Sequence, residues 1–283
     1  MTGTAAAAAR ESRPLDAPLP PAEALASLTP LQRRLLALSA RQQVGWRHAA
    51  WWSWRKHFGA RAVRVMLARP ALVTGWEHIA AADHARPLLL LANHRSYFDF
   101  FVLSTVMLER APWVRQMHFP IKASYCYHDV GGAVTNALGA GFAAFPPFFR
   151  DPAHAALDAW ALDVLQGWCT TGAGRVVGLH PEGTRNTNPD PWHLLPAQPG
   201  TGRLLMETDV QAIPVFIAGL GNSYLAQRRA GRSGARVRIH VGAPIDRAAF
   251  AGLPSRARNW VGVGTQVMQR IQQLADADRA AHG

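Results

Sequence analysis

Lysine is nearly absent from this chain. Only Lys56 and Lys122 stand among 30 basic residues, and the remaining 28 are arginine. Acidic residues are few as well: 18 Asp and Glu leave a formal net charge of +12 over 283 residues. The arginine fork suits phosphate and carboxylate, so the imbalance points to a polyanionic partner: nucleic acid, anionic lipid or a phosphorylated substrate. Cysteine is scarce too. Cys126 and Cys169 alone supply neither a disulfide framework nor a structural zinc site. No run of eighteen apolar residues occurs, so no segment reads as a membrane span. Met1–Ala9 lacks a basic flank, and Arg10, Glu11 and Arg13 break the apolar run that follows, which makes a poor signal peptide. Charged residues are 17% of the chain, which argues against disorder or a coiled coil. What is left is a soluble or surface-bound protein long enough for one large α/β domain or two small ones.

Residues 1–28, rich in Ala with Pro14, Pro18, Pro20 and Pro21, read as a disordered tail. Residues 29–70 read as an amphipathic helical segment. Its second half, Gly45–Phe58, sets Trp46, Trp51, Trp52 and Trp54 among five potential cations. Two readings stand side by side: a membrane-associating helix with Trp at the headgroup boundary, or a helix whose Trp cap the core while Arg faces water. From 71 to 283 short apolar runs alternate with helical patterns. Strands are expected at Leu88–Ala92, Phe119–Lys122, Gly141–Phe145, Arg175–Leu179, Val210–Phe216 and Val237–Val241. Helices are expected at about 97–110, 124–138, 153–170, 201–208 and 258–279. This alternation predicts an α/β fold with a mostly parallel sheet flanked by helices, and functional groups where strands end.

Two strand ends carry chemistry. Asn93-His94-Arg95-Ser96-Tyr97-Phe98-Asp99 follows the first strong strand. Five residues turn about 500° on a helix, so His94 and Asp99 meet only if His94 lies in the turn and Asp99 in the first helical turn. Ser96-x-x-Asp99 is a capping box that supports this geometry. A carboxylate that holds a histidine fixes its tautomer and makes it a better base. The same residues also suit a plain helix cap. The second string, His180-Pro181-Glu182-Gly183-Thr184-Arg185, puts a carboxylate, a hydroxyl and a guanidinium in a Pro/Gly turn. Gly183 permits close backbone approach, and Thr184 with Arg185 can grip phosphate oxygens.

Taken together, Asn93-His94-x4-Asp99 and Pro181-Glu182-Gly183-Thr184-Arg185 resemble the glycerolipid acyltransferase family, typified by 1-acylglycerol-3-phosphate acyltransferase. Phe145-Pro146-Pro147-Phe148-Phe149-Arg150 occupies the place of the family's second block, and Ala212-Ile213-Pro214-Val215 that of its fourth. The likeness spans roughly residues 72–246. It implies that His94 is the base and Asp99 its orienting partner. Arg150, Glu182, Gly183, Thr184 and Arg185 would then bind the glycerol-phosphate end of the acceptor. It further implies direct acyl transfer from acyl-CoA or acyl carrier protein to a lysophospholipid, 1-acyl-sn-glycerol 3-phosphate by default. Glycerol 3-phosphate, another lysophospholipid or an amino-acid-based lyso-lipid would leave the same two motifs. No metal or cofactor is implied, and the site of action would be an anionic membrane surface, peripherally on its cytoplasmic face. The sequence departs from the family at His180, where Phe is common, and at the polar stretch Asn186–Asp190.

A second class of function also fits the charge: a non-catalytic basic protein on nucleic acid or anionic membrane. Nucleic-acid binding needs neither His94 nor Asp99. Asp99 and Glu182 beside the cations that would hold phosphate suit a catalytic pocket better, so no nucleic-acid partner is expected.

Overall fold

Four successive leucines, Leu88–Leu91, are all 0% exposed. Such a run belongs to a strand covered on both faces. In the computed structural model, which describes residues 19–283, the chain opens with α1 (Ala22–Ala26), α2 (Pro30–Arg41), α3 (Gly45–Trp54) and α4 (Ala60–Leu67), the last two joined by a π-helical turn at Arg55–Gly59. Next come β1 (Leu72–Thr74), α5 (Glu77–Ala80), β2 (Leu88–Ala92), α6 (Asp99–Arg110), β3 (Gln116–Lys122), α7 (Ala123–Cys126), α8 (Val130–Val134) and β4 (Ala144–Phe148). The second half holds α9 (Ala155–Thr170), β5 (Arg175–Leu179), α10 (Pro199–Glu207), β6 (Gln211–Ala218), α11 (Tyr224–Arg232), β7 (Arg238–Val241) and α12 (Ala257–His282).

The seven strands form one sheet in the order β1-β7-β6-β2-β5-β3-β4. All neighbours are parallel except β6 and β7. Along β2 the alternation of a pleated strand divides the core. Leu89 and Leu91 pack in one cluster with Trp160, Leu165, Leu204 and Ile271 of α9, α10 and α12. Leu88 and Leu90 pack in the other with Val63 and Met66 of α4 and Leu103 and Met107 of α6. The expected mostly parallel α/β sheet is therefore present.

The N-terminal region departs from expectation. Residues 1–18 lie outside the described residues, but 19–28 are no tail: Ala24 and Leu28 are buried in the same core cluster as α9. Leu25, which packs against that cluster, and Leu28 were the aliphatic residues that patterning could have used there, and the neighbouring prolines concealed them. The tryptophans divide between the two readings. Trp51 packs edge-on against Phe142 and donates from Nε1 to Gln42 Oε1 at 3.1 Å, Arg55 lies over Trp52, and Trp54 donates to the Leu138 carbonyl at 2.9 Å. Trp46 alone is 72% exposed, with Phe58 at 59%.

Other boundaries shift for local reasons. The strand expected at Gly141–Phe145 starts at Ala144, because Gly141 and Phe142 have φ of 52° and 57° and cannot continue a strand. The helix expected over 124–138 breaks at Tyr127, whose buried hydroxyl donates to the Ala144 carbonyl at 2.8 Å. It restarts where the Asp129 side chain caps Gly132 N at 2.7 Å. The short β1, α5 and the Arg-rich α11 had no patterning signal strong enough to be read.

Candidate active site

His94 leaves the end of β2, and Asp99 is the first residue of α6. The turn brings them together: His94 Nδ1 lies 3.0 Å from Asp99 Oδ2. The same oxygen accepts Arg95 N and Ser96 N, each at 2.8 Å. The capping box is only half formed. Ser96 Oγ caps nothing at N3; it accepts Phe98 N at 3.0 Å and donates to the Gly221 carbonyl at 2.6 Å, which ties the turn to the end of β6. Asn93 does the same three residues earlier through paired bonds with the Ile217 backbone of β6, 3.0 and 2.7 Å.

Burial beside Arg185 and Arg150 lowers the His94 pKa to about 4. Burial raises the Asp99 carboxyl to about 6, against the pull of His180 and the Ser96 and Arg95 amides. Near pH 7 the pair is therefore a neutral imidazole and a carboxylate. Nδ1–H donates to Asp99, and Nε2 is left with a free lone pair.

His180, at the end of β5, stacks on His94 with ring centroids 4.2 Å apart and planes 10° from parallel. Its Nδ1–H donates to the Ala92 carbonyl at 3.0 Å. The donor atoms of His94, Asp99 and His180 lie within 4.8 Å of one another. Imidazole lone pairs lie in the ring plane, so two parallel stacked rings aim theirs side by side and do not converge on one ion. The arrangement is a stack, and His180 fixes the face of His94.

Glu182 does not do what the resemblance implied. It is 1% exposed, and both oxygens are taken: Oε1 by His94 N at 2.7 Å, Oε2 by Leu195 N at 2.9 Å and Asn186 Nδ2 at 3.1 Å. A buried carboxylate saturated by protein donors has nothing to offer an anionic acceptor. Its role is to pin the His94 backbone, so it is a positioning residue. Gly183 has φ +68°, and a Cβ there would stand 2.4 Å from Gln198 Cγ. That turn accepts no side chain.

Thr184 and Arg185 follow at the rim. The Arg185 guanidinium lies 3.9 Å over the Tyr97 ring, and its Nε has no partner in the protein. Arg150, with φ of 60°, is held by Asp158, whose carboxylate accepts Phe149 N at 2.6 Å and Arg150 N at 2.8 Å. Tyr97, Asp158 and His180 were not assigned roles from the sequence; only His180 gave a signal, as a departure from the family pattern.

His94, Tyr97, His180, Arg150 and the Gly183–Arg185 turn open on a cavity of about 1040 Å³. His94, Lys122, Arg150, Thr184 and Arg185 line its polar part, and Phe101, Phe119, Leu165 and Leu204 are among its apolar walls. Of the phenylalanines near the second block, Phe148 reaches the cavity. Phe145 packs with Trp160 and Phe142 with Trp51 instead. Cys126 also lines the cavity, but burial and Asp129 push its thiol up to about 12, which leaves no thiolate to act as nucleophile.

Comparison with known proteins agrees in part with the motifs. No curated protein matches the sequence. Among solved structures, the chain is similar to the 1-acyl-sn-glycerophosphate (LPA) acyltransferase PlsC from Thermotoga maritima, at 15% identity and a TM-score of 0.44, with 89% of this chain and 98% of that chain covered. The acyltransferase family model matches residues 71–218. That span holds the His94–Asp99 pair, Arg150 and the Glu182–Arg185 turn, and by it this chain belongs to the acyltransferase family.

Proposed function

We propose that this acyltransferase moves a fatty acyl group from a thioester, acyl-CoA or acyl carrier protein, to the hydroxyl of a lysophospholipid. The default acceptor is 1-acyl-sn-glycerol 3-phosphate, and the product phosphatidic acid. One observation carries the reading: a neutral His94 with a free Nε2 faces a cavity that has cations at one side and apolar walls at the other. His94 Nε2 takes the acceptor's hydroxyl proton while that oxygen attacks the thioester carbonyl. The tetrahedral adduct collapses, the thiolate leaves, and the imidazolium returns the proton to sulfur. No acyl-enzyme is required, which suits the raised Cys126 thiol. Arg185, with its free Nε, and Arg150 would hold the phosphate, and juxtaposing hydroxyl with thioester supplies much of the rate. Glycerol 3-phosphate or another lyso-lipid is the alternative acceptor.

We further propose that the protein works peripherally on the cytoplasmic face of an anionic membrane. Exposed Trp46 and Phe58 beside Arg47, Lys56 and His57 support this. No described helix is long and apolar enough to cross a bilayer. The decisive experiment is thiol release from acyl donors over a panel of acceptors, wild type beside His94→Ala. Acceptor-dependent release in the wild type alone is expected, with a loss of about 10²–10⁴-fold in the variant. Equal release by both proteins would sink the reading.

A further inference from the structure

Helix α11 meets α4 where a side chain is missing. A Cβ on Gly231 would stand 1.9 Å from the Leu67 carbonyl oxygen, so glycine alone lets the helices lie this close. Arg69 Nε seals the contact by donating to the Gly231 carbonyl at 3.1 Å. Val63, Met66 and Leu67 of α4 and Gln227 and Gly231 of α11 face inward and are buried. The outward stripes then run side by side. Arg61 and Val65 form one, and Leu225, Arg229 and Arg232 the other, spaced three or four residues apart as one helix face requires. All five residues are exposed.

The charge on this face is of one sign. The sequence has no Asp or Glu between Glu23 and Glu77, and none between Asp209 and Asp246. Glu109 reaches the face from α6 but is taken by Arg64 at 3.3 Å. Two aliphatic side chains stand exposed on the same face, Leu225 at 60% and Val65 at 42%. Apolar side chains set among arginines suit a protein interface. The face also adjoins the catalytic cavity. Tyr224, which opens α11, lines the cavity with Ala62 of α4, and its hydroxyl donates to the Ala62 carbonyl at 3.1 Å.

We propose that the α4–α11 face docks an acidic acyl carrier protein, which presents its thioester arm to the cavity past Tyr224. The proposal rests on the acyl-transfer reading and selects between its two donors. Arginine forks seat carboxylates in pairs, and guanidiniums spread along two helices outside the cavity exceed what one nucleotide would engage.

The test compares Arg229→Glu/Arg232→Glu and, separately, Leu225→Asp with wild type, using acyl carrier protein and acyl-CoA charged with the same chain. These side chains are exposed, and circular dichroism verifies the fold. The expected result is a KM for the carrier-protein donor raised about tenfold or more, with acyl-CoA kinetics within about twofold. An unchanged carrier-protein KM, or equal losses with both donors, overturns the proposal. So does weakened binding to phosphatidylglycerol vesicles with carrier-protein kinetics intact, which would make the face a membrane contact. Wild-type turnover with acyl-CoA but none with carrier protein overturns the docking alone and leaves acyl transfer standing. No turnover with either donor overturns acyl transfer and the docking with it.

Discussion

At the scale of single residues, Asp99 combines two opposed demands. One of its oxygens receives the His94 ring and two backbone amides, so an amide oxygen in the same place could accept all three. Its ionisation, however, is held back by burial, with a pKa raised from 3.8 to about 6. A raised carboxyl favours the folded state when protonated: that stability is full below 3.8 and is lost as pH climbs through about 6. Over this interval the buried charge costs about 3 kcal/mol. Asp99→Asn is therefore expected to lower kcat by about 10²–10⁴-fold while the melting temperature at pH 8 stays level or rises. Thermal unfolding beside turnover checks both, and a large fall in melting temperature would contradict the account. His180 contributes through its face. An aromatic stack is worth about 0.5–1.5 kcal/mol, so His180→Ala should cost up to about tenfold in kcat with KM unaffected. His180→Phe should stay within about threefold, because it keeps the stack and loses only the bond to Ala92. An equal loss in both variants would mean that the imidazole nitrogen, not the ring face, is what His94 needs.

At the scale of elements, the polar stretch with no counterpart in the family motifs turns out to brace the site. Asn186, Asn188 and Asp190 each accept the amide two residues on, at 2.9 Å, ending at Trp192 N. The backbone of this ladder returns to the dyad: Asn186 N donates to the His94 carbonyl at 2.7 Å, and Arg95 reaches the Asp190 carbonyl at 3.1 Å. Its far end is moored to α12, where Asp278, fully buried, accepts Trp192 Nε1 at 2.9 Å, Arg238 at 2.5 and 2.8 Å and His240 at 2.8 Å. Asp278→Ala strips three donors of their acceptor, and breaking such a pair costs about 3–5 kcal/mol. The expected result is a lower melting temperature together with reduced kcat, since the ladder and the His94 turn loosen together; activity untouched at 20 °C would uncouple them. Little of this bracing was legible in the sequence, because Asp278 lies 86 residues from Trp192; its one signal was its place on the apolar stripe of α12, in step with Val267, Ile271 and Ala275. What was legible depended on short-range signals. Leu88–Ala92 and Arg175–Leu179 were readable to the residue from unbroken apolar runs, and His94 with Asp99 from a turn whose spacing allows one geometry. Glu182 was misassigned because a motif shows which residues are neighbours in sequence but not which way a carboxylate points. α11 was missed because it shows three arginines and little periodic apolar surface.

At the scale of the whole molecule, stability should depend on pH through histidines that the fold keeps uncharged. Burial, chiefly, lowers His48, His94 and His180 to about 4 and His118 well below its ordinary value. His48 and His118 also feel Arg55 and Arg175, which are buried without a carboxylate partner among the described residues. A depressed histidine gives stability that is complete above the unfolded value of about 6.5 and drains away as pH falls toward the folded value. Asp99 works the other way, binding a proton in the folded state below about 6. At pH 5 the unfolded chain thus holds about three protons more than the native one, and each contributes about 1.4 kcal/mol per pH unit. Unfolding free energy should accordingly drop by about 4 kcal/mol per unit near pH 5, enough to exhaust an ordinary domain's margin within a few units. Urea titrations at pH 7.5, 6.5, 5.5 and 5.0 measure the slope. His118 stacks on Trp168 with centroids 4.1 Å apart, and its Nδ1 has no partner, so His118→Phe keeps the stack and removes one proton from the count. The variant should match wild type within about 1 kcal/mol at pH 7.5 and show a slope smaller by about 1.4 kcal/mol per unit below pH 6. A slope that His118→Phe leaves unchanged would show that this histidine is charged in the native protein, and that the buried arginines beside it are compensated by some other group.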